Sequence, residues 1–191
     1  MTLQQARSLA KKNESKKRFA HTLNVEKMAV ALAMQYGADP DKAALAALLH
    51  DTAKEFPKAE MLRILKENAI IAGDTKNSPT SVWHGVCAAI LAQTQWGITD
   101  PEVLSAIACH TTGKPNMGLL DKIIYLADML CEERDFAGIK ELRTLARQDL
   151  DAAMLACLAH TMHFVAKSGK TLDPISLAAY QDYAKKRGTE K

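Results

Sequence analysis

The 191-residue sequence predicts an all-α protein, and three observations carry that expectation. The chain is rich in Ala, Leu, Lys and Gln, all good helix formers, and only 5% aromatic. No segment alternates apolar and polar residues with the period of two that a half-buried strand requires. Pro and Gly fall where helices start and stop.

Taken in order, the first helix is expected over Leu3–Lys12 and the second over Lys16–Tyr36, stopped by Gly37. In GADPDKAALAALLHD, Asp39 can cap the next helix, with Pro40 at the first helical position, where a missing N–H costs nothing. A fourth helix is expected near Pro57–Asn68. NSPTSVWHGVCAAILAQTQWG repeats the Pro device with Ser78 and Pro79 and stops at Gly97. TDPEVLSAIACHTTG uses Thr99 or Asp100 with Pro101 and ends near Gly113. Helices near Leu119–Glu132, Ile139–Ala146, Leu150–Ser168 and Ile175–Lys186 complete the chain, before a solvated basic tail, KKRGTEK.

Composition narrows the functional classes. A chain of this length suits one domain burying about two thirds of its unfolded surface. The net charge is +3 with Lys and Arg dispersed, which predicts no nucleic-acid partner. The longest apolar run, Ala43–Leu49, is far too short to span a membrane, so no membrane association is expected. The opening MTLQQARSLAKKNESKK lacks the apolar stretch of a secretory signal. Cys87, Cys109, Cys131 and Cys157 are widely spaced, show no C-x-x-C pattern, and read as reduced, buried thiols of a cytoplasmic protein. Amphipathic C-terminal helices leave room for a homodimer.

The chemistry-bearing residues stand on faces that should be dry. Val25, Met28 and Leu32 follow His21 by four, seven and eleven residues, placing His21 on the buried stripe of its helix. His110 follows Val103 by seven and Ile107 by three. Asp128 stands four after Ile124, and His84 borders the stripe of Trp83, Val86, Cys87, Ile90 and Leu91. In LLHDTAK, His50 and Asp51 end an apolar helix, with Lys54 three residues on. A lone inward His is usually hydrogen-bonded core, but an uncompensated buried carboxylate is expensive. One shared cation resolves His21, His50, Asp51, His84, His110 and Asp128 together. His160 and His163 share a helix face at i, i+3 and read instead as a structural or surface pair. Imidazole and carboxylate without thiolate suit Fe, Mn, Zn or, least well, Mg. His50 and Asp51 diverge by about 100° around a helix, so both reach one ion only beside a helix end. H-E-x-x-H, the phosphate-cradling P-loop and G-x-S-x-G are all absent, which leaves the chemistry to the metal.

Three segments carry a resemblance. RFAHTLNVEKMAVALAMQYGADPDKAALAALLHDTAKE resembles the start of the HD-domain metal-dependent phosphohydrolases. WHGVCAAILAQTQWGITDPEVLSAIACHTTGKPNMGLLDKIIYLADML and ERDFAGIKELRTLA are similar to the YqeK family, the symmetrical bis(5'-nucleosyl)-tetraphosphatases of bacteria. The likeness runs from about Arg18 to Ala146, more weakly to Tyr183. It implies an HD helical bundle, with an HD core over about 18–132 and C-terminal helices over about 139–186 completing a single domain. It further implies that His21, His50, Asp51 and Asp128 are metal ligands, with iron the first candidate and Mn or another divalent ion next, in a mono- or dinuclear site. His84 and His110 match positions for a second metal or substrate phosphate, and Lys54 and Arg134 match phosphate-binding cations. Thr111, Thr112 and Gly113 match the pocket wall beside His110. Asp51 and Lys54 are the expected catalytic pair, and a small-molecule nucleotide is the expected substrate. Two departures stand out: the family's EPGRDFPGV is CEERDFAGI here, and its His-Pro-Asp segment is KTLDPIS, which makes Thr171, Leu172, Asp173 and Pro174 a candidate nucleotide loop. Alternatives are an HD nucleotidase or alarmone hydrolase, and a non-catalytic nucleotide-binding module.

Overall fold

The computed structural model describes residues 1–69 and 78–188. These residues form ten α-helices and no strand: α1 Leu3–Asn13, α2 Lys16–Tyr36, α3 Pro40–Leu49, α4 Lys58–Glu67, α5 Trp83–Thr94, α6 Pro101–Cys109, α7 Leu119–Leu130, α8 Ile139–Gln148, α9 Leu150–Lys167 and α10 Pro174–Gly188. Local chemistry explains most boundaries. Thr2 and Gln5 form a capping box on α1, and Ser15 caps α2. Gly37, with φ +73°, supplies the left-handed residue that ends α2. The expected Asp-Pro starts are present: Asp39 accepts from the N–H groups of Asp41 and Lys42, and Asp100 from those of Glu102 and Val103.

The start of α5 corrects the expectation at Ser78. Pro79 precedes a single 3-10 turn, Thr80–Val82, and the α-helix begins only at Trp83 with no side-chain cap. The Ser78 carbonyl instead accepts a bond from the Trp83 indole. Helix α5 also ends before Gly97, at Thr94, and α6 ends at Cys109, leaving His110 to Gly113 as a turn rather than a last helical turn.

Helix α3 is the centre of the bundle. It packs against α1, α2, α5, α6 and α7. Its sequence suits that position, since Ala43, Ala44, Ala46, Ala47, Leu48 and Leu49 are all buried. A helix surrounded on every side needs apolar residues all round, and alanines let neighbours approach closely. Helix α9 packs on α7, α8 and α10, adding a C-terminal layer. Arg143 on α8 joins that layer to the core: its guanidinium donates to the carbonyls of Leu130, Cys131 and Arg134, closing the end of α7. All four cysteines are free and buried. Among the described residues no helix is long and apolar enough to cross a membrane.

Candidate metal centre

Helix ends and helix faces converge at the buried end of α3. His50 is the residue following Leu49 at the α3 terminus, and Asp51 opens the turn that follows. His21 comes from the second turn of α2, His84 from the first turn of α5, His110 from the end of α6, and Asp128 from the last turns of α7. His50, His84, His110 and Asp51 are at most 2% exposed, and His21 8%. Five chain segments far apart in sequence thus bring four imidazoles and two carboxylates together.

Asp51 divides its two oxygens between the two sides of the cluster. Its Oδ2 lies 3.5 Å from His50 Nε2 and 3.9 Å from His21 Nε2. Its Oδ1 lies 3.2 Å from His84 Nε2 and 3.6 Å from His110 Nε2. Asp128 Oδ1 stands 3.0 Å from His21 Nε2. Donors bound at roughly 2.1 Å around one ion are about 3 to 3.5 Å apart, so these spacings suit a coordination shell. His21, His50 and Asp51 can face one ion, Asp51, His84 and His110 another, and His50, His110 and Asp128 form a third inward group.

The fit to a metal rests on unsatisfied atoms. His21 Nε2, His50 Nε2 and Asp51 Oδ1 are buried without a hydrogen-bond partner. The 3.0 Å contact of His21 with Asp128 is close enough for an ion pair but lacks hydrogen-bond alignment, so Nε2 stays unsatisfied. Buried polar atoms are rarely left so, and a cation facing all of them removes the penalty. The donors are imidazole and carboxylate, a set suited to Fe, Mn or Zn.

Electrostatics prepare most of the set for a cation. Burial pushes the His50 and His84 imidazoles down to about 4, the nearby Asp51 working against it, so both are neutral at pH 7. Burial opposes the charge on Asp51, but His50, His110 and His84 outweigh it and hold the carboxyl well below its usual range. For Asp128 burial is likewise outweighed, by His21 and His50, with Arg134 adding to them. His21 is the exception. Burial opposes its protonation, yet contacts with Asp128, Cys131 and Glu133 push it up to about 10.

The predicted cations lie at the rim. Lys54 Nζ is 3.1 Å from His84 Nε2, and burial lowers its pKa. Arg134 donates to Asp128 Oδ1 at 2.6 Å and to the Asp128 carbonyl at 3.0 Å. Thr111 Oγ1 sits 3.3 Å from His84 Nε2 and 3.2 Å from His110 Nε2, while Thr112 turns its hydroxyl onto the Gly113 carbonyl. The segment Thr171–Pro174 is not joined to the cluster by any hydrogen bond or ion pair among the described residues. Asp173 instead accepts from the Ile175 N–H at the start of α10. His160 stacks on Phe136 at 4.4 Å and His163 is exposed, one structural and one surface residue.

Three residues escaped sequence reasoning. Arg18 donates to Asp51 Oδ2 at 2.9 Å from one turn before His21 on the same face of α2. Glu133 Oε1 pairs with His21 Nδ1. Glu14, between α1 and α2, is buried with Oε1 unpartnered, its Oε2 accepting from Thr22 at 2.8 Å. For Arg18 the i, i+3 spacing to His21 was a usable signal; the other two had none. Arg18, Glu133 and Arg134, with His21 and Asn24, line an open cavity of about 560 Å³ outside the cluster.

Comparison with known proteins agrees with this geometry. The HD domain family matches residues 18–133. The symmetrical bis(5'-nucleosyl)-tetraphosphatase of Halalkalibacterium halodurans is 40% identical over 175 residues, covering 92% of this chain and 93% of that one. The protein of the same name from Bacillus subtilis is 37% identical over 180 residues, covering 94% and 96%. A crystal structure from Clostridium acetobutylicum, described as a predicted HD superfamily hydrolase involved in NAD metabolism, matches with a TM-score of 0.92 at 36% identity, over 97% of this chain and 98% of that one. An all-helical bundle with this inward His/Asp set is the build of an HD-domain hydrolase. The chain belongs to the HD-domain metal-dependent phosphohydrolases, within the YqeK-like family that contains the two tetraphosphatases.

Proposed function

We propose that the chain hydrolyses dinucleoside tetraphosphates symmetrically, turning diadenosine tetraphosphate and water into two ADP. The observation that carries this reading is the set of buried, unpartnered imidazole and carboxylate atoms converging beside a cavity that Arg18 and Arg134 help to line. His21, His50, Asp51 and Asp128 are the proposed metal ligands, with His84 and His110 holding a second ion or a substrate phosphate. Iron is the proposed ion, with Mn as a working substitute, and the cytoplasm, which keeps thiols reduced, the proposed compartment for a chain with four free cysteines.

When bound, a divalent ion supplies Lewis acidity and makes water a nucleophile at neutral pH. The protein's own groups do the rest. The P–O–P bridge at the centre of the tetraphosphate breaks, water's oxygen ending on one ADP and the bridging oxygen leaving with the other. The substrate carries about four negative charges, which Lys54 and Arg134 offset from the rim. Thr111, between His84 and His110, offers a hydroxyl to a phosphate oxygen. Asp51 is the proposed key residue of catalysis because one carboxylate serves both sides of the cluster.

The test is metal analysis of anaerobically purified protein, followed by chromatography of products from a dinucleoside polyphosphate panel. Bound iron and paired ADP support the reading. Nucleoside plus phosphate, or released pyrophosphate, would sink it in favour of a nucleotidase or an alarmone hydrolase. Absence of turnover with added Fe or Mn would leave a nucleotide-binding module.

A further inference from the structure

We propose that Glu133 is the positioning residue for His21, fixing which ring nitrogen of that histidine faces the metal centre. The inference rests on His21 being a metal ligand, as proposed above. An imidazole has two nitrogens, and it serves as a ligand only if the correct one points inward with its lone pair free. Three of the four histidines solve this locally. His50 Nδ1 lies 2.6 Å from the Ala47 carbonyl, His84 Nδ1 3.1 Å from that of Ser81, and His110 Nδ1 2.7 Å from that of Ile107. In each case the partner is three residues back, and Nε2 is left for the cluster.

His21 lacks that option. His50 and His110 sit at helix C-termini, where carbonyls have lost their i+4 partners. His21 stands inside the 21-residue α2, where the carbonyls of the preceding turn are already engaged by the helix. Its Nδ1 is held instead by the Glu133 carboxylate, 112 residues away in sequence, with Cys131 Sγ a second neighbour at 3.7 Å. The loop that presents Glu133 is fastened by Arg143, which donates to the carbonyls of Cys131, Glu132 and Arg134 on either side of it. The carboxylate is thereby delivered to the outer edge of the ring, away from Asp51 and Asp128, where it orients His21 and raises its basicity.

The geometry also makes Glu133 different from the backbone carbonyls that serve His50 and His110. Its side chain is 37% exposed and lines the cavity beside Arg18 and Arg134. A ligand entering that cavity meets the group that orients His21, whereas it cannot reach Ala47 or Ile107, which are fully buried.

The test uses the full chain with Co²⁺, reading affinity by chelator competition and the visible spectrum of the bound ion, with far-ultraviolet circular dichroism as the folding check. Glu133→Ala is expected to weaken Co²⁺ binding roughly 10- to 100-fold at unchanged helical content. Glu133→Gln, which keeps an acceptor but loses the charge, is expected to recover part of that loss. His21→Asn is the reference for the ligand itself. If Glu133→Ala binds Co²⁺ like the parent while His21→Asn is impaired, the positioning role is wrong and the metal centre stands. If His21→Asn binds like the parent, the ligand assignment itself falls. A thiolate-to-cobalt charge-transfer band would also overturn the proposal, because His21, Cys131 and Glu133 would then be holding an ion themselves.

Discussion

Replacing Glu14 with Gln tests whether the centre's surroundings are strained by an uncompensated carboxylate. Glu14 is 8% exposed, its Oε1 has no partner, and its Oε2 accepts one bond from Thr22. Burial pushes its pKa from 4.5 up to about 7, Thr22 working against that and Asp51 adding to it. The folded protein therefore holds this proton more tightly than the unfolded chain. Between pH 4.5 and 7 the folded state binds more protons, so stability falls as pH rises, and the loss is complete above pH 7. A difference of about 2.5 units corresponds to about 3 kcal/mol of destabilisation at pH 8. At pH 5 less than about 1 kcal/mol of it has developed. Glutamine keeps an acceptor for Thr22 but buries an amide N–H₂ without a partner, a pH-independent cost of roughly 1–3 kcal/mol. The diagnostic is therefore the change with pH: relative to the parent, Glu14→Gln should gain about 2 to 3 kcal/mol between pH 5 and pH 8. Urea unfolding of chelator-treated protein at four pH values measures it, chelation removing any ion whose charge would act on Glu14. Parallel stability curves for the two proteins would refute the reasoning.

Other consequences are as direct. Asp51→Ala removes the carboxylate shared by both sides of the cluster, so bound metal and turnover should vanish together while helical circular dichroism persists; turnover surviving the loss of metal would contradict the mechanism. Gly85→Ala puts a Cβ 3.0 Å from the Ala108 carbonyl and 3.2 Å from the His110 ring, and should cost about 1–3 kcal/mol in urea unfolding while weakening metal binding through His110. His21, pushed up to about 10 by its acidic neighbours, must lose a proton to become a ligand, so apparent metal affinity should rise with pH, by up to about tenfold per unit from pH 6 to 9. Proton release on metal addition in weak buffer checks the same point independently.

Particular residues separate what is local to the sequence from what the fold assembles. The helices were legible because caps and stops are local: Asp39 with Pro40, Asp100 with Pro101, and Gly37 each act within one turn. The inward lean of His21, His110 and Asp128 followed from spacing, since a helical face is a property of the sequence alone. Ser78 was misjudged because competing local bonds decide between a cap and a 3-10 turn, and the Trp83 indole took the Ser78 carbonyl. Glu133 and Glu14 were invisible for a different reason. Glu133 reads as one acidic residue in a charged run, and only the fold sets it against His21, across 112 positions. Arg18 reaches Asp51 across 33.

The sequence by itself thus determined the helices, their buried faces and the six polar residues that those faces cannot tolerate unaided. Tertiary structure alone decided that Asp51 lies between both sides of one cluster, that Glu133 rather than a backbone carbonyl meets His21 Nδ1, and that Thr171–Pro174 stays unbonded to the centre. The division has a physical cause: hydrogen bonding and periodicity within a helix act over three or four residues, whereas a coordination shell is assembled from side chains whose distances exist only once the helices have packed.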